Sequence, residues 1–342
     1  MLGLAAIGKL FNKQQEWPDL MIDDTLTPGI TDSPTESIAR KFELTIMKAQ
    51  REICQALHPT FSDWTVDKWT RPLGGGGVSC VYQDNDKFDK AGVNISVVYG
   101  SLTEQAAKSM TENHPDLPER NDDGTLPFTA KGISSVIHPQ NPHAPTMHFN
   151  FRYFEVTGKN GQTCSWFGGG IDLTPSYLYN SDAVHFHSTL KSTCDKYDEE
   201  YYPKFKKWCD DYFFIKHRNE RRGIGGVFFD DLTKDPETTL NFVTDMVHTV
   251  LPCYLPLLEK RCNQAFTDQE KYWQKIRRGR YVEFNLVYDR GTKFGFFTPG
   301  SRIESILVSL PTNASWVYSH EPEKGSREEE LLDVCREPRQ WV

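Results

Sequence analysis

Residues 147–156 read MHFNFRYFEV, and the pattern in this stretch sets the architecture that we expect. Bulky apolar residues at 147, 149, 151 and 153 alternate with polar ones. Because successive side chains of a strand point to opposite faces of a sheet, the stretch predicts one apolar face and one face that carries His148, Asn150 and Arg152. Strands of a doubly wound parallel sheet are apolar on both faces, so this alternation favours an antiparallel sheet.

Other runs in the chain have strand character. They are short and rich in β-branched or aromatic residues, and they lie at 93–101, 133–139, 281–291, 294–299 and 303–311. The sequence DRGTKFGF, from Asp289, is typical of a hairpin turn between two antiparallel strands. The expected fold class is therefore α+β, with a large antiparallel β-sheet flanked by α-helices on both faces in a single domain.

Helices are predicted from capping signals and periodicity. The predicted helices run from a capping box at 33–36 to Leu57, over 182–219 with a break near Pro203, from Asp235 past Pro252 and Pro256, and from a second capping box at 267–270 to about Arg278. The two internal prolines are expected to kink or end the third helix. The domain is thus expected over 33–320, between an N-terminal arm (1–32) and a peripheral, charged C-terminal tail (321–342).

Composition excludes several classes of protein. The chain has 342 residues, of which 38% are hydrophobic, so it is long enough to bury a core and is not disordered. The net charge of −8 argues against a nucleic-acid partner, and no apolar run is long enough for a membrane span. Eight scattered cysteines without a C-x-x-C pair indicate reduced thiols. The N-terminus favours a cytoplasmic location, with a mitochondrial one as the alternative.

The polar face of the 147–156 strand is the first candidate site. Histidine moves protons near neutral pH, and arginine binds carboxylates through two parallel hydrogen bonds. The face could instead be the solvent side of an edge strand. Asp172 follows three glycines in SWFGGGIDLTP and is a candidate buried carboxylate, although such a stretch is also typical of a tight loop.

Two further groups of residues could bind an ion. Residues 300–302 (GSR) offer a backbone N–H, a hydroxyl and a guanidinium to an anion, but Pro-Gly-Ser is also ordinary turn chemistry. Histidines outside the strand (His138, His185, His187 and His217) could join His148 at a metal, yet their spacing matches no H-E-x-x-H or comparable metal motif. The family resemblance described below narrows this alternative to His138, His148, His187 and His217.

Five long segments together resemble the oxygen-dependent coproporphyrinogen III oxidases. They occur in the family's order and cover nearly all of residues 40–318. The segments are GGGGVSCVYQ, ISSVIHPQNPHAPTMHFNFRYFEV, WFGGGIDLTPSY, DYFFIKHRNERRGIGGVFFDDL and YVEFNLVYDRGTKFGFFTPGSRIESILVSLP.

The resemblance implies an enzyme of haem biosynthesis. Its substrate is coproporphyrinogen III, whose ring A and B propionates are oxidatively decarboxylated to vinyl groups with O2, giving protoporphyrinogen IX and CO2. No cofactor is expected, because the electron-rich macrocycle can react with O2 directly. The resemblance also implies a homodimer whose interface lies around residues 282–317.

By motif match, the resemblance implies roles for individual residues. His148 matches the family's proton donor, and Asp172 and Asp289 match acidic positions that handle pyrrole N–H groups, with the choice of base left open. The substrate-binding positions correspond to Ser134, Asn150, Phe151, Arg152, Arg290, Gly300, Ser301 and Arg302. Two alternatives stay open: a metal-dependent oxygenase that uses the four histidines, and a non-catalytic porphyrin- or haem-binding protein.

Overall fold

The computed structural model of the chain describes residues 37–72, 74–111, 116–297 and 301–342. The predicted arm (1–32) and the capping box predicted at 33–36 lie outside these residues. The helix expected after them begins at Ile38, where the side chain of Ser37 accepts a hydrogen bond from the backbone N–H of Arg40.

Most strands of the described residues form one antiparallel sheet. In chain order they are β1 (Thr65–Thr70), β2 (Gly75–Gln83), β3 (Phe88–Ser101), β4 (Pro127–Pro139), β5 (Thr146–Thr157), β6 (Thr163–Thr174), β7 (Phe214–Ile215), β8 (Glu220–Arg221) and β9 (Gly226–Leu232). Seven of them pair in the order β1-β2-β3-β4-β5-β6-β9, while β7 and β8 form a separate hairpin. The strands predicted at 93–101, 133–139 and 147–156 are confirmed as parts of β3, β4 and β5.

Helices lie on both faces of this sheet. They are α1 (Ile38–Leu57), α2 (Glu104–Thr111), α3 (Asn180–Cys194), α4 (Tyr201–Tyr212), α5 (Pro236–Arg261), α6 (Asp268–Val287), α7 (Arg290–Phe297), α8 (Ile303–Leu307) and α9 (Arg327–Arg336). Helices α1 and α5 pack on the apolar face, and α6, α7 and α8 enclose a cavity against the polar face. The predicted α+β class is therefore confirmed.

Strand β5 has the two faces that its sequence predicts. Phe149 and Phe151 are fully buried in the main core, and the ring of Tyr153 packs 6.3 Å from that of Phe42 on α1. His148, Asn150 and Arg152 point to the other side, where each is partly exposed. The glycine-rich stretch 165–175, for which a tight loop was the alternative, contains most of the interior strand β6.

The strands predicted across 281–311 are wrong, because the described residues of this range form the end of α6, then α7 and α8, with short non-helical segments beside them. Helix α6 does begin at the predicted capping box of Thr267, but it continues to Val287 instead of ending near Arg278. Its buried residues in this part, Tyr281, Phe284 and Asn285, follow a spacing of three and four, which is that of a helix. The predicted hairpin turn is instead the start of α7, and α8 occupies part of 303–311.

The helix predicted over 182–219 is two helices separated by residues 195–200. The second ends at Tyr212, so the prediction is wrong for 213–219, which contain β7 and one turn of 3-10 helix. Pro203 lies in the first turn of α4, where a missing N–H does no harm. Pro252 and Pro256 stand inside α5 without ending it. Because Pro256 has no N–H for the carbonyl of Pro252, that oxygen accepts a hydrogen bond from His185 Nε2 at 3.0 Å, which helps the helix to continue.

The C-terminal tail is not peripheral, which corrects our prediction. Its acidic residues are followed by Leu331, Leu332, Val334 and Cys335 of α9, which are buried in the protein. The Trp341 ring stacks on His187 at 5.9 Å. The tail is therefore charged on one side and part of the core on the other.

Two further expectations concern cysteines and membrane spans. All eight cysteines are free, and six are buried, as expected for reduced thiols. None of the helices in the described ranges is long and apolar enough to cross a membrane.

Candidate active site

A cavity of about 620 Å³ lies between the polar face of the sheet and helices α6, α7 and α8. Its volume is in the range of pockets that hold small-molecule ligands. Strands β3, β4, β5 and β9 form one wall, and the three helices form the other. Of the residues predicted from sequence, those that line the cavity are Ser134, His148, Asn150, Arg152, Asp289 and Arg290.

His148 on β5 is paired directly across the ladder with Asp172 on β6. Its Nδ1–H donates to Asp172 Oδ1 at 2.7 Å, and the carboxylate is buried with 2% of its surface exposed. A carboxylate on Nδ1 fixes the tautomer of a neutral imidazole, so that Nε2 becomes the ring nitrogen that accepts or delivers a proton. None of the described residues hydrogen-bonds Nε2, and His148 lines the cavity.

Arg222 is the second partner of the Asp172 carboxylate. It lies just after β8 and donates through Nη2 to both oxygens of Asp172, at 3.0 and 2.8 Å. Its guanidinium is enclosed by three aromatic rings, those of Phe213, Tyr281 and Phe284, at 4.1, 4.4 and 4.9 Å. Burial acts to raise the pKa of Asp172, but the charge of Arg222 and the contact with His148 hold that pKa below its usual value.

Arg222 was not predicted from sequence. It belongs to the basic segment 216–226, which reads as an ordinary charged end of a helix. Only the following glycines, GIGG, suggest an unusual backbone there. Nothing local indicates that the second arginine of the pair is buried.

A row of small polar side chains crosses the wall of the cavity. The register aligns Asn94, Ser134 and Asn150 on neighbouring strands, and Gly170 follows on β6. Asn94 Nδ2 donates to the backbone carbonyl of Ser305 on α8 at 3.1 Å. The row offers amide and hydroxyl groups to a ligand between the histidine and the arginines.

Two arginines face the cavity beside one carboxylate. Arg152 Nη2 lies 2.6 Å from Asp230 Oδ2, and Arg152 Nη1 donates to Asn150 Oδ1 at 3.1 Å. Arg290 Nη2 lies 3.7 Å from the same oxygen of Asp230. Both arginines were predicted from sequence, but Asp230 was not. Its one signal in the sequence is an acidic pair at the end of the apolar run GVFF.

Asp289 lines the cavity and also caps a helix. Its Oδ1 accepts from the Tyr212 hydroxyl at 2.9 Å, and its Oδ2 accepts from the backbone N–H of Thr292 at 2.6 Å. Burial, and then the charge of Asp289, raise the pKa of Tyr212 to about 12, so that the hydroxyl keeps its proton. Tyr212 was not predicted from sequence.

Some predicted residues do not reach the cavity with their side chains. Phe151 is buried on the opposite face of β5, because neighbouring residues of a strand point in opposite directions. Arg302 forms an ion pair with Asp67 on the edge strand β1, and Ser301 precedes it. Gly300 lies outside the described residues.

The four histidines of the metal alternative are not brought together. His138 donates through Nε2 to Ser309 O at 2.9 Å, and His187 donates in the same way to Ile224 O at 3.2 Å. His217 Nε2 lies 2.6 Å from Glu283. Burial lowers the pKa of both His138 and His187 to about 3, so these two remain neutral. The described part of the chain contains no group of three His, Cys, Asp or Glu side chains placed to hold a metal ion.

The arrangement places an imidazole and a guanidinium on one wall of the cavity. His148 Nε2 has no hydrogen-bond partner among the described residues, and Arg152 presents its guanidinium four residues further along β5. Such a cavity suits a ligand that carries carboxylates and undergoes proton transfer.

Comparisons with known proteins agree with this chemistry. A sequence profile described as "Coproporphyrinogen III oxidase" matches residues 41–341. The protein named oxygen-dependent coproporphyrinogen-III oxidase, mitochondrial, of Rattus norvegicus is 58% identical over 310 residues, which span 90% of this chain and 70% of the rat protein. Its namesake in Homo sapiens is 59% identical over 305 residues, spanning 88% and 67%. The oxygen-dependent coproporphyrinogen-III oxidase of Drosophila melanogaster is 54% identical over 322 residues, spanning 92% and 82%.

Proposed function

The chain belongs to the coproporphyrinogen III oxidase family, and from that premise we propose that its cavity binds coproporphyrinogen III and decarboxylates it oxidatively. Dioxygen is the oxidant. Each of two propionates loses CO2, together with a β-hydrogen and its two electrons, and becomes a vinyl group. The electrons pass to O2, and the product is protoporphyrinogen IX.

The observation that carries this proposal is the buried chain Arg222–Asp172–His148, which ends in a free ring nitrogen at the cavity. A protein that only binds porphyrins needs cations for the carboxylates. It does not need a histidine whose tautomer is fixed by a buried carboxylate and a caged arginine. The hydrogen-bonded series Arg222–Asp172–His148 therefore supports an enzyme over the non-catalytic alternative.

His148 is the catalytic residue for proton transfer in this proposal, and Asp172 is a positioning residue. Asp172 is only 2% exposed and both its oxygens are occupied, so a direct contact with a pyrrole N–H is unfavourable. Asp172 instead stabilises the imidazolium that forms when His148 takes up a proton.

Asp289 is the carboxylate that we assign to the pyrrole N–H groups, because it lines the cavity. Its two hydrogen bonds, from Tyr212 and from Thr292 N, hold the carboxylate in one orientation. A carboxylate that accepts from a pyrrole N–H assists its deprotonation, which makes the ring more reactive toward O2. Arg152 and Arg290 hold propionate groups.

The test of the function is the conversion of coproporphyrinogen III by the purified chain in air. Chromatography with fluorescence detection separates the oxidised forms of the products by their number of carboxylates. We expect the four-carboxylate substrate to be replaced by a two-carboxylate product. Binding of the substrate without any loss of carboxylates would favour the non-catalytic alternative.

Arg152→Ala is expected to lower kcat/KM for coproporphyrinogen III by roughly 10- to 100-fold, which is the effect of losing one charge-assisted hydrogen bond to a carboxylate. Steady-state kinetics measure this value, and we expect both a raised KM and a lowered kcat. Kinetics close to those of the wild type would show that Arg152 does not hold a propionate.

Arg302→Ala distinguishes two placements of that arginine. Its motif match suggests a substrate contact, but its guanidinium pairs with Asp67 on the edge strand β1 and does not line the cavity. The geometry therefore predicts a change of less than about 3-fold in kcat/KM, as for an exposed ion pair. A loss as large as that of Arg152→Ala would instead support the motif match.

We also propose a homodimer with its interface around residues 282–317. Six of the eleven large hydrophobic residues that are exposed in the described part of the chain lie in this segment, namely Leu286, Val287, Phe296, Phe297, Ile303 and Trp316. A concentration of exposed apolar surface is typical of an interface.

The double substitution Leu286→Asp and Val287→Asp is expected to shift the protein from dimer to monomer, because it places two charges in the apolar surface. Light scattering after size-exclusion chromatography measures the mass. Phe266→Asp is the matched control, because Phe266 is 45% exposed and lies outside the segment. A wild-type protein that elutes as a monomer would contradict the dimer.

The mitochondrial names of the rat and human relatives favour the mitochondrial alternative over our cytoplasmic prediction.

We retain the proposal that O2 is the only co-substrate and that no metal or organic cofactor is needed. Full activity after exhaustive chelation, with no stoichiometric metal by elemental analysis, would support it.

A further inference from the structure

We propose that Asp230 is a positioning residue that holds Arg152 and Arg290 side by side as one clamp for a single substrate carboxylate. This inference rests on the proposed function. It assigns a role to a residue that neither the sequence motifs nor the comparisons single out. Four features of the structure carry it: a β-bulge, a glycine, a pair of salt bridges and two aromatic rings.

The β-bulge fixes the carboxylate of Asp230. The ladder between β6 and β9 pairs Gly169 with Phe229 and Phe167 with Leu232, so that Asp230 and Asp231 together stand opposite Gly168. The extra residue, Asp231, has φ 53°, a left-handed conformation that is uncommon without glycine. The backbone N–H of Asp231 donates to Asp230 Oδ1 at 3.1 Å, and Asp230 Oδ2 contacts the arginines at the cavity. Bulges of this kind often re-aim a side chain beside an active site.

Gly168 on β6 leaves room for the ion pair between Arg152 on β5 and Asp230 on β9. A Cβ atom at this position would lie 2.5 Å from Asp230 Oδ1 and 2.8 Å from Arg152 Nε. Both distances are shorter than almost all contacts of a Cβ atom, so the two side chains would have to move to admit one. The first of the three glycines in β6 therefore provides the space in which the carboxylate and the guanidinium meet.

Asp230 joins two cations from separate elements. Its Oδ2 lies 2.6 Å from Nη2 of Arg152 on β5, and 3.7 Å from Nη2 of Arg290, the first residue of α7. The Arg152 guanidinium also lies 6.0 Å from the ring of Phe228, and that of Arg290 lies 5.1 Å from the ring of Tyr212. Each guanidinium is thus held between a ring and the shared carboxylate.

The balance of charge matches one carboxylate of the substrate. Two guanidinium groups and one carboxylate leave a net charge of +1, and a propionate carries one negative charge. Without Asp230 the two arginines would repel each other, and Arg290, whose side chain is 61% exposed, would turn to solvent. Asp230 therefore raises the probability that both arginines are in place when the substrate arrives, which lowers KM.

The decisive experiment compares Asp230→Asn with Asp231→Asn in the full chain, using coproporphyrinogen III as substrate. Both changes remove one negative charge from adjacent positions, but only Asp230 lines the cavity. Asp230→Asn is expected to lower kcat/KM by roughly 10- to 100-fold, mainly through KM, as for a lost charge-assisted contact. Asp231→Asn is expected to stay within about 2-fold of the wild type, because asparagine tolerates the left-handed conformation.

A double-mutant cycle with Arg290→Ala excludes a merely structural effect. Because Asp230 acts partly through Arg290 and partly through Arg152, the double variant Asp230→Asn with Arg290→Ala is expected to lose clearly less than the product of the two single effects. Gly168→Ala provides a second route to the same result, since it separates Asp230 from Arg152 without changing any charge.

The possible outcomes separate the two proposals. A wild-type protein without oxidase activity contradicts the proposed function itself. An active wild type, with Asp230→Asn indistinguishable from Asp231→Asn, overturns only the role of Asp230. Effects of Asp230→Asn and Arg290→Ala that multiply fully would also overturn it.

Discussion

Replacing Arg222 by methionine is expected to lower the free energy of unfolding by about 3–5 kcal/mol, the typical cost of removing one partner of a buried ion pair. The expected loss is large because Asp172 is buried and would keep only His148 as its partner. Methionine fills most of the volume inside the cage of Phe213, Tyr281 and Phe284, so the effect reports the charge more than a void.

Urea denaturation followed by circular dichroism measures this difference. The matched control is Arg221→Met at the neighbouring position. Arg221 is partly exposed, and its Nη1 donates only to a backbone carbonyl, that of Arg336. A loss below about 1 kcal/mol for Arg222→Met, no larger than that of the control, would show that the buried pair is not needed for stability.

The difference in the free energy of unfolding between the wild type and Arg222→Met should depend on pH. In the wild type the folded-state pKa of Asp172 lies below its ordinary value of 3.8. Its contribution to stability is therefore complete above pH 3.8 and is lost as pH falls through the folded-state pKa. Once the carboxyl is protonated, Arg222 no longer stabilises a charge. We thus expect the two unfolding free energies to converge at the acid end, and a constant gap would contradict this cause.

His148→Ala is expected to lower kcat by roughly 100- to 10,000-fold, the usual effect of losing a positioned acid or base. The KM for coproporphyrinogen III should change little, because the arginines that hold the propionates stay in place. Steady-state kinetics separate the two parameters. His248→Ala is the control, since His248 is exposed on α5 and far from the residues that line the cavity.

Asp172→Asn tests how His148 works. An asparagine can accept from Nδ1–H, but it cannot stabilise the imidazolium by charge, so kcat should fall. The variant also leaves the buried Arg222 without its carboxylate, so kcat is measured at a temperature where circular dichroism shows the fold intact. The KM for coproporphyrinogen III should change little, because the arginines that hold the propionates stay in place. A normal kcat would show that Asp172 does not act through His148.

The sequence predicts the half of the site that depends on local periodicity. The alternation in MHFNFRYFEV correctly separates the core residues Phe149 and Phe151 from His148, Asn150 and Arg152. A period of two is a property of one strand and needs no knowledge of its neighbours. Residues that share a face of β5 therefore also share the cavity.

Prediction fails where the same pattern fits two structures. In YVEFNLV the apolar residues at 282, 284 and 286 alternate as in a strand, yet Tyr281, Phe284 and Asn285 form the buried side of α6. Short apolar runs are ambiguous between strand and helix by periodicity alone. The capping box at Thr267 was a better guide than the alternation, since the helix that it starts extends through these residues.

The missed residues depend on contacts between distant segments. Arg222 meets Asp172, 50 residues earlier in the chain, and Asp230 reaches Arg152 only because a bulge in β9 faces Gly168. Neither pairing has a local signature. The two members of the pair Asp230-Asp231 cannot be told apart from sequence, and the same holds for Arg221-Arg222. In the structure Asp230 and Arg222 line the cavity, and Asp231 and Arg221 do not.

The measurement that tests the central claim most directly is a parallel incubation of the purified protein with coproporphyrinogen III in air and under strict anaerobic conditions. The products are separated by the number of carboxylates that they retain, and His148→Ala is run alongside. We predict that the wild type releases CO2 and forms the two-carboxylate product only in air, and that the variant forms little of it in the same time. Loss of carboxylates without O2, or none in its presence, would contradict an oxygen-dependent oxidase in this cavity.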